Sequence, residues 1–127
     1  MIKSIFLIDD DADDAELFEE TLNEIDSVII FNRAKDGCEA LEILEEGIII
    51  PDLIFLDINM PRMDGWQCLG KFKSKDLLKD IPVIMYSTSS NQKDKEIAIK
   101  LGAINFISKP SNLTELKNIL QAVIANG

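Results

Sequence analysis

Charged and hydroxyl side chains follow four short apolar runs of the chain, and their types suit reactions of phosphorus. The residues in question are Asp9 and Asp10, Asp57, Ser87 and Lys109. A carboxylate can act as a nucleophile, while a lysine and a hydroxyl can stabilise the negative charge of a transferred phosphoryl group. The chain contains no histidine, which excludes Ser-His-Asp and Cys-His catalysis, His-based zinc sites and a phosphohistidine carrier.

Short apolar runs alternate with amphipathic segments along the chain, and this pattern predicts five strands alternating with five helices. The predicted strands are Ile5–Ile8, Val28–Phe31, Leu53–Leu56, Val83–Tyr86 and Ile104–Ile107. Such an alternation favours right-handed crossovers and a parallel sheet that is covered by helices on both faces. The polar residues that follow the runs then lie at the carboxyl ends of parallel strands, where open α/β sheets bind their ligands.

The first and the last of the predicted helices begin with polar residues that can cap a helix. The first helix begins in a run of acids, and we expect Asp11, Asp13 and Asp14 only to cap and solvate its first turn. Ser111 is expected to cap the last helix. Leu113 is expected to be one of the apolar side chains that this last helix turns toward the core.

Three carboxylates at one edge of a sheet repel one another, by roughly 4 kcal/mol per pair at the dielectric of a protein surface. A single lysine does not offset this repulsion, so a divalent cation is expected between Asp9, Asp10 and Asp57. Oxygen ligands with no histidine or cysteine among them favour Mg²⁺ over zinc. The residues therefore predict a Mg²⁺-assisted phosphoryl transfer in which one aspartate is the nucleophile.

Four segments of the chain carry a resemblance to a known family. They are Ile5-Phe-Leu-Ile-Asp9-Asp10, Asp57-Ile-Asn-Met-Pro-Arg-Met-Asp-Gly65, Pro82-Val-Ile-Met-Tyr-Ser87 and Gly102-Ala-Ile-Asn-Phe106-Ile-Ser-Lys109-Pro110. In this order and spacing the chain resembles the receiver domains of two-component response regulators, and it is similar to chemotaxis regulators and small phytochrome-linked regulators. The resemblance implies a flavodoxin-like doubly wound (βα)5 fold with strand order 2-1-3-4-5. It also implies one receiver domain over residues 1–127 with no output domain.

The resemblance implies a role for each matching residue. Asp57 becomes the phosphoacceptor, Lys109 contacts the phosphoryl group, and Ser87 takes the place of the family's switch Thr or Ser. The implied ligands of Mg²⁺, or of Mn²⁺, are Asp9, Asp10, Asp57 and, through its backbone carbonyl, Asn59. The resemblance further implies that the Lys109–Pro110 peptide bond is cis. A cis peptide bond has a low energetic cost only when proline follows it.

Two residues depart from the family's usual pattern. Phe106 stands where many members have Tyr, so it can turn between buried and exposed positions but has no hydroxyl to donate. A phenylalanine at this position is equally consistent with an ordinary core side chain. Thr88 follows Ser87 where a smaller Ala or Gly is common, and its larger side chain is expected to narrow access to the phosphoryl group.

The implied function is that of a signalling phosphoacceptor, which assists only its own phosphorylation and dephosphorylation and is not otherwise an enzyme. Because the chain has no histidine, the donor must be another molecule: a histidine kinase, a phosphotransfer protein or a small phosphodonor. The resemblance implies that phosphorylation switches the face formed by residues 91–126. This face would bind a downstream protein target, with the chain either a monomer or a phosphorylation-dependent dimer.

Two other functions remain open on the sequence alone. A haloacid-dehalogenase-like phosphohydrolase also uses a nucleophilic aspartate, Mg²⁺, a hydroxyl and a lysine on a parallel sheet. Its nucleophile lies in a D-x-D-x-T run after the first strand, whereas Asp9 and Asp11 are followed here by Asp13. A degenerate receiver that serves only as a protein-binding scaffold is the third possibility, although the complete set of site residues is not expected of one.

Composition and charge exclude several classes of protein. The chain has 23 acidic and 13 basic residues, a net charge of −10, and residues 9–20 alone hold eight of the acids. Nucleic-acid binding is not expected, because it depends on clustered Lys and Arg. No apolar run approaches the roughly 18–20 residues of a membrane span. The apolar segment at the beginning of the sequence is too short for a signal peptide. Cys38 and Cys68 are expected to be buried free thiols of a cytoplasmic protein.

Overall fold

The centre of the molecule is a sheet of five parallel strands, and the computed structural model describes all 127 residues of the chain. The strands are β1 (Ser4–Ile8), β2 (Ile30–Ala34), β3 (Leu53–Leu56), β4 (Val83–Ser87) and β5 (Asn105–Ser108). Their order across the sheet is β2-β1-β3-β4-β5, and each neighbouring pair is parallel. The predicted flavodoxin-like doubly wound (βα)5 fold and its strand order are confirmed.

Five helices cover the two faces of the sheet. They are α1 (Ala12–Ile25), α2 (Gly37–Glu45), α3 (Gly65–Ser74), α4 (Gln92–Lys100) and α5 (Leu113–Asn126). Side chains of α2, α3 and α4 share one buried cluster with the sheet, and those of α1 and α5 share the other. None of the five helices combines the length and the hydropathy that crossing a bilayer requires.

The central strands are apolar at nearly every position because both of their faces are covered. In β1, Phe6 and Ile8 enter the core beneath α2 to α4, whereas Ile5 and Leu7 enter the core beneath α1 and α5. All four side chains are fully buried. Burying one such side chain contributes about 1.5–3 kcal/mol, so the alternation of faces fixes the register of β1 and hence the position at which the strand ends.

The second strand begins later than the sequence predicts. The apolar run Val28–Phe31 was the basis of that prediction, but Val28 is 84% exposed and lies in the turn before β2. Its N–H donates to the side chain of Asp26. The ladder starts at Ile30, whose N–H donates to the carbonyl of Lys3. An edge strand has one unpaired side, and this strand tolerates polar residues at positions that a central strand would fill with apolar ones.

The start of the last helix also differs from the prediction. Asn112, not Ser111, is the N-cap of α5, and its side chain accepts a hydrogen bond from the N–H of Glu115. The N–H of Ser111 donates to the carboxylate of Glu115. Leu113, in the first turn, is 55% exposed and does not face the core. Asparagine caps helices at least as well as serine, so α5 begins one residue later than predicted, and its buried face starts at Leu116.

The Lys109–Pro110 peptide bond is trans, as is every other peptide bond of the chain, so the cis bond implied by the resemblance is wrong. The trans isomer is the intrinsically favoured one for X–Pro bonds, by about 0.5–1 kcal/mol. With this bond trans, the N–H of Lys109 donates to the carbonyl of Ser87 and the side chain of Lys109 still reaches Asp9. The placement of the lysine therefore does not require a cis bond.

The two cysteines are free thiols. Cys68 is fully buried in α3, as predicted, whereas Cys38 at the start of α2 is only half-buried. Burial raises the pKa of the Cys68 thiol to about 12, so Cys68 stays protonated at neutral pH and unreactive.

Candidate functional site

Four strands of the sheet bring the site residues to one edge. Asp9 follows β1, Asp57 follows β3, Ser87 ends β4, and Lys109 follows β5. The backbone N–H of Asp9 donates to Ala34 and that of Asp57 donates to Ile8. Sheet hydrogen bonding thus continues into both aspartates, which fixes their backbones although the strands themselves have ended.

Three carboxylates meet at this edge, as the sequence predicts. One oxygen from each of Asp9, Asp10 and Asp57 lies within 4.8 Å of the other two. Asp9 and Asp57 are buried, whereas Asp10 is exposed. Hard cations such as Mg²⁺ bind through carboxylate, carbonyl and water oxygens, and Mg²⁺ usually keeps several waters. Two buried carboxylates and one open to solvent fit that requirement.

Lys109 is the cation that the structure itself supplies to the cluster. Its Nζ lies 2.8 Å from Asp9, 2.9 Å from Asp14 and 3.6 Å from Asp57. It also lies 5.5 Å from the centre of the Tyr86 ring, a distance at which an aromatic face attracts a cation. Burial favours loss of the lysine proton, but the hydrogen bonds from Lys109 to Asp9 and Asp14 outweigh it, and the pKa of Lys109 is raised above its ordinary value.

The environment of Asp57 disfavours its charged form. Its residue is 6% exposed, and burial raises the pKa of Asp57 to about 6, with the charge of Asp9 acting in the same direction. Lys109 and the N–H of Ile58, which donates to Oδ1 at 2.8 Å, oppose this rise. The charge of Asp57 is therefore only partly compensated, because Lys109 lies nearer to Asp9 than to Asp57.

The loop between β3 and α3 explains two positions of the aspartate-to-glycine motif. A Cβ at Gly65 would lie 2.3 Å from the carbonyl oxygen of Asp57, so only glycine allows α3 to start against the end of β3. Asp64 and Gln67 form a reciprocal capping box at the same helix start. The tight approach holds the backbone of Asp57 between its strand and the following helix.

Arg62 is a further fixed point of this loop. Its φ of 65° is the single positive φ outside glycine. Its guanidinium pairs with the buried carboxylate of Asp36, the N-cap of α2. The hydrogen bond from the N–H of Glu39, and next the one from Arg62, hold the pKa of Asp36 below its usual range. The loop beside Asp57 is therefore tied to the start of α2.

The remaining predicted site residues lie close to this edge, with different exposures. Asn59 is exposed in the loop, two residues after Asp57 in the chain. Ser87 is fully buried, and its Oγ accepts the N–H of Ser89 at 3.3 Å. Phe106 is buried in the core beneath α2 to α4. Thr88 is exposed and lines a small cavity beside Lys109.

Sequence reasoning missed two residues that contact the site. Asp14 was interpreted as a solvated acid of a helix start, but it pairs with Lys109. Its position four residues before the buried Phe18 was the signal that it faces inward. Arg33 donates through Nε and Nη2 to the backbone carbonyl of Asp9, at 3.2 and 2.9 Å. No signal for Arg33 was available, because the predicted second strand ended before it.

Comparison with known proteins gives one consistent result. The family model described as "Response regulator receiver domain" matches residues 5–121. The chain belongs to the receiver domain family of two-component response regulators. Receiver domains are signalling modules that accept phosphoryl groups, bind Mg²⁺ or Mn²⁺ at an acidic pocket and interact with protein targets, so the family fits the geometry of this edge.

Three relatives show how far the similarity of this receiver extends. Response regulator Rcp1 of Synechocystis sp. is 34% identical over 128 residues, covering 95% of this chain and 86% of Rcp1. The phosphorylated cyanobacterial phytochrome response regulator RcpA has a TM-score of 0.87 at 34% identity, with 97% and 91% of the two chains covered. A protein-glutamate methylesterase/protein-glutamine glutaminase of Methanococcoides burtonii is 36% identical over 94% of this receiver, which spans 33% of that relative's length.

Proposed function

We propose that residues 1–127 act as a receiver domain whose phosphoacceptor is Asp57. The observation that carries the proposal is the position of Asp57: its buried carboxylate lies within 4.8 Å of Asp9 and Asp10 and 3.6 Å from the Nζ of Lys109. A histidine kinase, a phosphotransfer protein or a small phosphodonor supplies the phosphoryl group. Asp52, by contrast, lies exposed at the opposite end of the sheet, where no comparable set of groups surrounds it.

We propose Mg²⁺, or Mn²⁺ in its place, as the cofactor of this reaction. Its ligands are Asp9, Asp10, Asp57 and the backbone carbonyl of Asn59, all oxygen donors that suit a hard cation. The relative Rcp1 is known in an Mn²⁺-bound form; that structure has a TM-score of 0.81 to this chain at 32% identity, with 95% and 91% of the two chains covered. When bound, the cation would neutralise charge on the phosphoryl oxygens.

The proposed reaction moves a phosphoryl group onto one carboxylate. An oxygen of Asp57 attacks phosphorus, the P–N bond of a donor phosphohistidine breaks, and the neutral imidazole leaves with a proton from solvent. Lys109 and Ser87 stabilise the equatorial oxygens, Lys109 by charge and Ser87 by a hydrogen bond. Water later attacks the same phosphorus and releases inorganic phosphate, so the chain turns over only its own phosphorylated form.

The output in this proposal is a change of shape over residues 91–126. Ser87 moves to the phosphoryl group, Phe106 turns further inward, and the affinity of this face for a downstream protein changes. The support is the thin anchoring of the segment: in α4 only Ala98 is buried, and in α5 only Leu116 and Leu120 are. The receiver acts as a monomer or as a phosphorylation-dependent dimer.

The test of the acceptor is labelling with acetyl phosphate or with a histidine kinase, with and without Mg²⁺, mapped by mass spectrometry. Wild type is expected to gain one phosphoryl group on Asp57, only with the cation, and Asp57→Asn to gain none. Asp52→Asn is the matched control and should label like wild type. Label on Asp9 would instead favour the phosphohydrolase. Full cellular signalling by Asp57→Asn would favour the scaffold.

The test of the output is a comparison of amide chemical shifts with and without beryllium fluoride and Mg²⁺, the fluoride complex standing in for the phosphoryl group. Residues 91–126 are expected to shift, with Phe106 and Ser87 among the largest changes. The amides of Lys3 and Ser4, which bond to Asp52 at the other end of the sheet, serve as the internal reference. Unaltered shifts over residues 91–126 would contradict the proposed output face.

A further inference from the structure

We propose that Asp14 is a positioning residue that restrains Lys109 in the unphosphorylated receiver and weakens the site's affinity for a phosphoryl group. The inference rests on the function proposed above, in which Lys109 contacts the phosphoryl group on Asp57. It concerns an acid that the family's site residues do not include. Asp14 lies in the first turn of α1, on a different element from every other group that contacts the Lys109 ammonium.

The distances to Lys109 show which carboxylates hold it. Nζ donates to Asp9 at 2.8 Å and to Asp14 at 2.9 Å, whereas the oxygen of Asp57 is 3.6 Å away, beyond hydrogen-bond length. An ammonium has three N–H groups, and two of them are committed to these acids. In the structure as it stands, the acceptor carboxylate therefore has the weakest hold on Lys109 of the three.

Asp14 is held in place by its helix and cannot simply follow the lysine. Asp11 caps α1 by accepting the N–H groups of Asp13 and Asp14. Phe18, one turn further along the same face, is fully buried and packs edge-on against Phe55 and Tyr86. Because the helix is anchored by this aromatic cluster, movement of Lys109 toward Asp57 lengthens the Asp14 contact.

The surroundings of the pair allow that contact to break. The side chain of Asp14 is 38% exposed and lines a cavity of about 300 Å³ together with Lys109, Tyr86 and Thr88. Water can therefore hydrate the carboxylate when the lysine leaves, so the ion pair is exchanged at modest cost. Lys109 itself is 10% exposed, and the phosphoryl group would take over one of its N–H groups.

The charge of Asp14 determines the direction of the effect. A phosphoryl group adds negative charge beside Asp57, and Asp14 both repels that charge and competes for the lysine that would neutralise it. Removing the charge of Asp14 frees an N–H of Lys109 and removes the repulsion. Both consequences strengthen binding of a phosphoryl group, whereas a merely structural role for Asp14 would weaken it or leave it unchanged.

The experiment measures the affinity of the full chain for beryllium fluoride at saturating Mg²⁺. The fluorescence of Trp66 reports the binding, since this single tryptophan follows Gly65, whose N–H donates to the carbonyl of Ile58, the residue after Asp57. Asp14→Asn is expected to bind the fluoride about two- to fivefold more tightly than wild type, the range of a partly exposed ion pair. Asp13→Asn is the matched control: it removes the same charge from the same helical turn, where Asp13 is exposed.

Two further variants keep the inference testable if one substitution disturbs α1. Asp14→Ala is expected to bind the fluoride as tightly as Asp14→Asn, and Asp14→Glu, which keeps the charge, to bind like wild type. The ¹⁵N shift of the Lys109 ammonium without fluoride should move in Asp14→Asn and not in Asp13→Asn. Equal or weaker fluoride binding by both neutral variants would overturn the inference. Failure of wild type to bind fluoride would instead overturn the proposed phosphoacceptor function.

Discussion

The two ends of the sheet use the same residue type in different ways. At the carboxyl end, Asp9 and Asp57 are buried beside one lysine. At the amino end, Asp52 is exposed and accepts the backbone N–H groups of Lys3 and Ser4, at 2.8 and 3.0 Å. Asp52 joins the start of β1 to the segment before β3 and has no cationic partner there.

The difference shows what distinguishes the proposed phosphoacceptor from a structural carboxylate. Asp52 has two donors and open solvent, so its charge is satisfied without any further group. Asp57 has one N–H at 2.8 Å and a lysine at 3.6 Å, and burial raises the pKa of Asp57 to about 6. A carboxylate in such a position gains from a cation or from conversion to another chemical form, and both are steps of the proposed reaction.

The surfaces around the two ends differ in the same way. The amino end carries a groove of about 680 Å³ whose lining is mainly apolar and includes Ile84, Ile104 and Val123. The cavity beside Lys109 is smaller, about 300 Å³, and holds Asp14 together with the lysine. The cavity at the end where the strands finish is thus the charged one, and stability is expected to follow that division.

The largest change in stability is expected when Lys109, the positively charged residue at the carboxyl end, is replaced. Lys109→Met leaves Asp9 and Asp57 without their shared partner and is expected to lower the free energy of unfolding by about 3 kcal/mol, as breaking a buried ion pair does. Urea unfolding at neutral pH without divalent cations measures the change. Lys117→Met is the control, because the pair of Lys117 with Glu24 is exposed and 3.8 Å long; equal losses would contradict the comparison.

The second effect is opposite in sign. Asp57→Asn removes a buried charge and is expected to raise the free energy of unfolding by up to about 3 kcal/mol at pH 7.5 in EDTA, because burial raises the pKa of Asp57 from 3.8 to about 6. A buried Asp57 that is stabilised by its charge would be destabilised by the change, contrary to this expectation. The double variant Lys109→Met with Asp57→Asn should lose less than the sum of the single changes predicts, since it removes both charges.

The raised pKa of Asp57 also determines how the stability of the chain depends on pH. The pKa of Asp57 in the folded protein lies above the 3.8 of the ordinary carboxyl, so its contribution to stability is fully present below about pH 4. It is lost as pH rises through about 6. In EDTA the difference between Asp57→Asn and wild type is therefore expected to be near zero at pH 4 and to level off above pH 7. A difference that is constant over this range would show that burial does not perturb Asp57.

The third expected change in stability is the one caused by Mg²⁺ at the proposed site. At ten times its dissociation constant, Mg²⁺ is expected to stabilise wild type by about 1.4 kcal/mol, because it binds the folded chain only. Asp10→Asn should lose most of this gain while keeping wild-type stability in EDTA, since Asp10 is exposed. Thermal unfolding with and without Mg²⁺ gives both values. Equal gains in Asp10→Asn and wild type would place the cation elsewhere.

Much of the carboxyl end could be predicted because backbone topology determines it. Parallel strands must end at one edge, so Asp9, Asp57 and Lys109 converge there whatever the loops do, and the apolar run before each of them is visible in the sequence. The fold class followed from the same alternation, whereas the strand order followed from the family resemblance alone. Asn59 and Phe106 depend on the resemblance alone, and their roles stay predictions.

What could not be predicted depends on tertiary contacts at the edges. The second strand was placed too early because Val28 is apolar yet exposed, and the sheet pairing of Ile30 with the segment before β1 starts the ladder instead. Arg33 was missed for the same reason, since its contact with Asp9 depends on that register. Asp14 could have been predicted, because it lies four residues before the buried Phe18 and therefore on the same face of α1.

The smallest effect is expected at the amino end. Asp52→Ala removes an acceptor of two exposed N–H groups, which water can replace, so the loss of stability is expected to be about 1 kcal/mol or less. Asp52→Asn keeps an acceptor oxygen and should lose less than Asp52→Ala. Because Asp52 lies a full strand length from Asp57, neither change should alter the stabilisation by Mg²⁺ or its pH dependence. Loss of the Mg²⁺ response in either variant would show that the two ends are coupled, and that burial at Asp57 alone does not explain its chemistry.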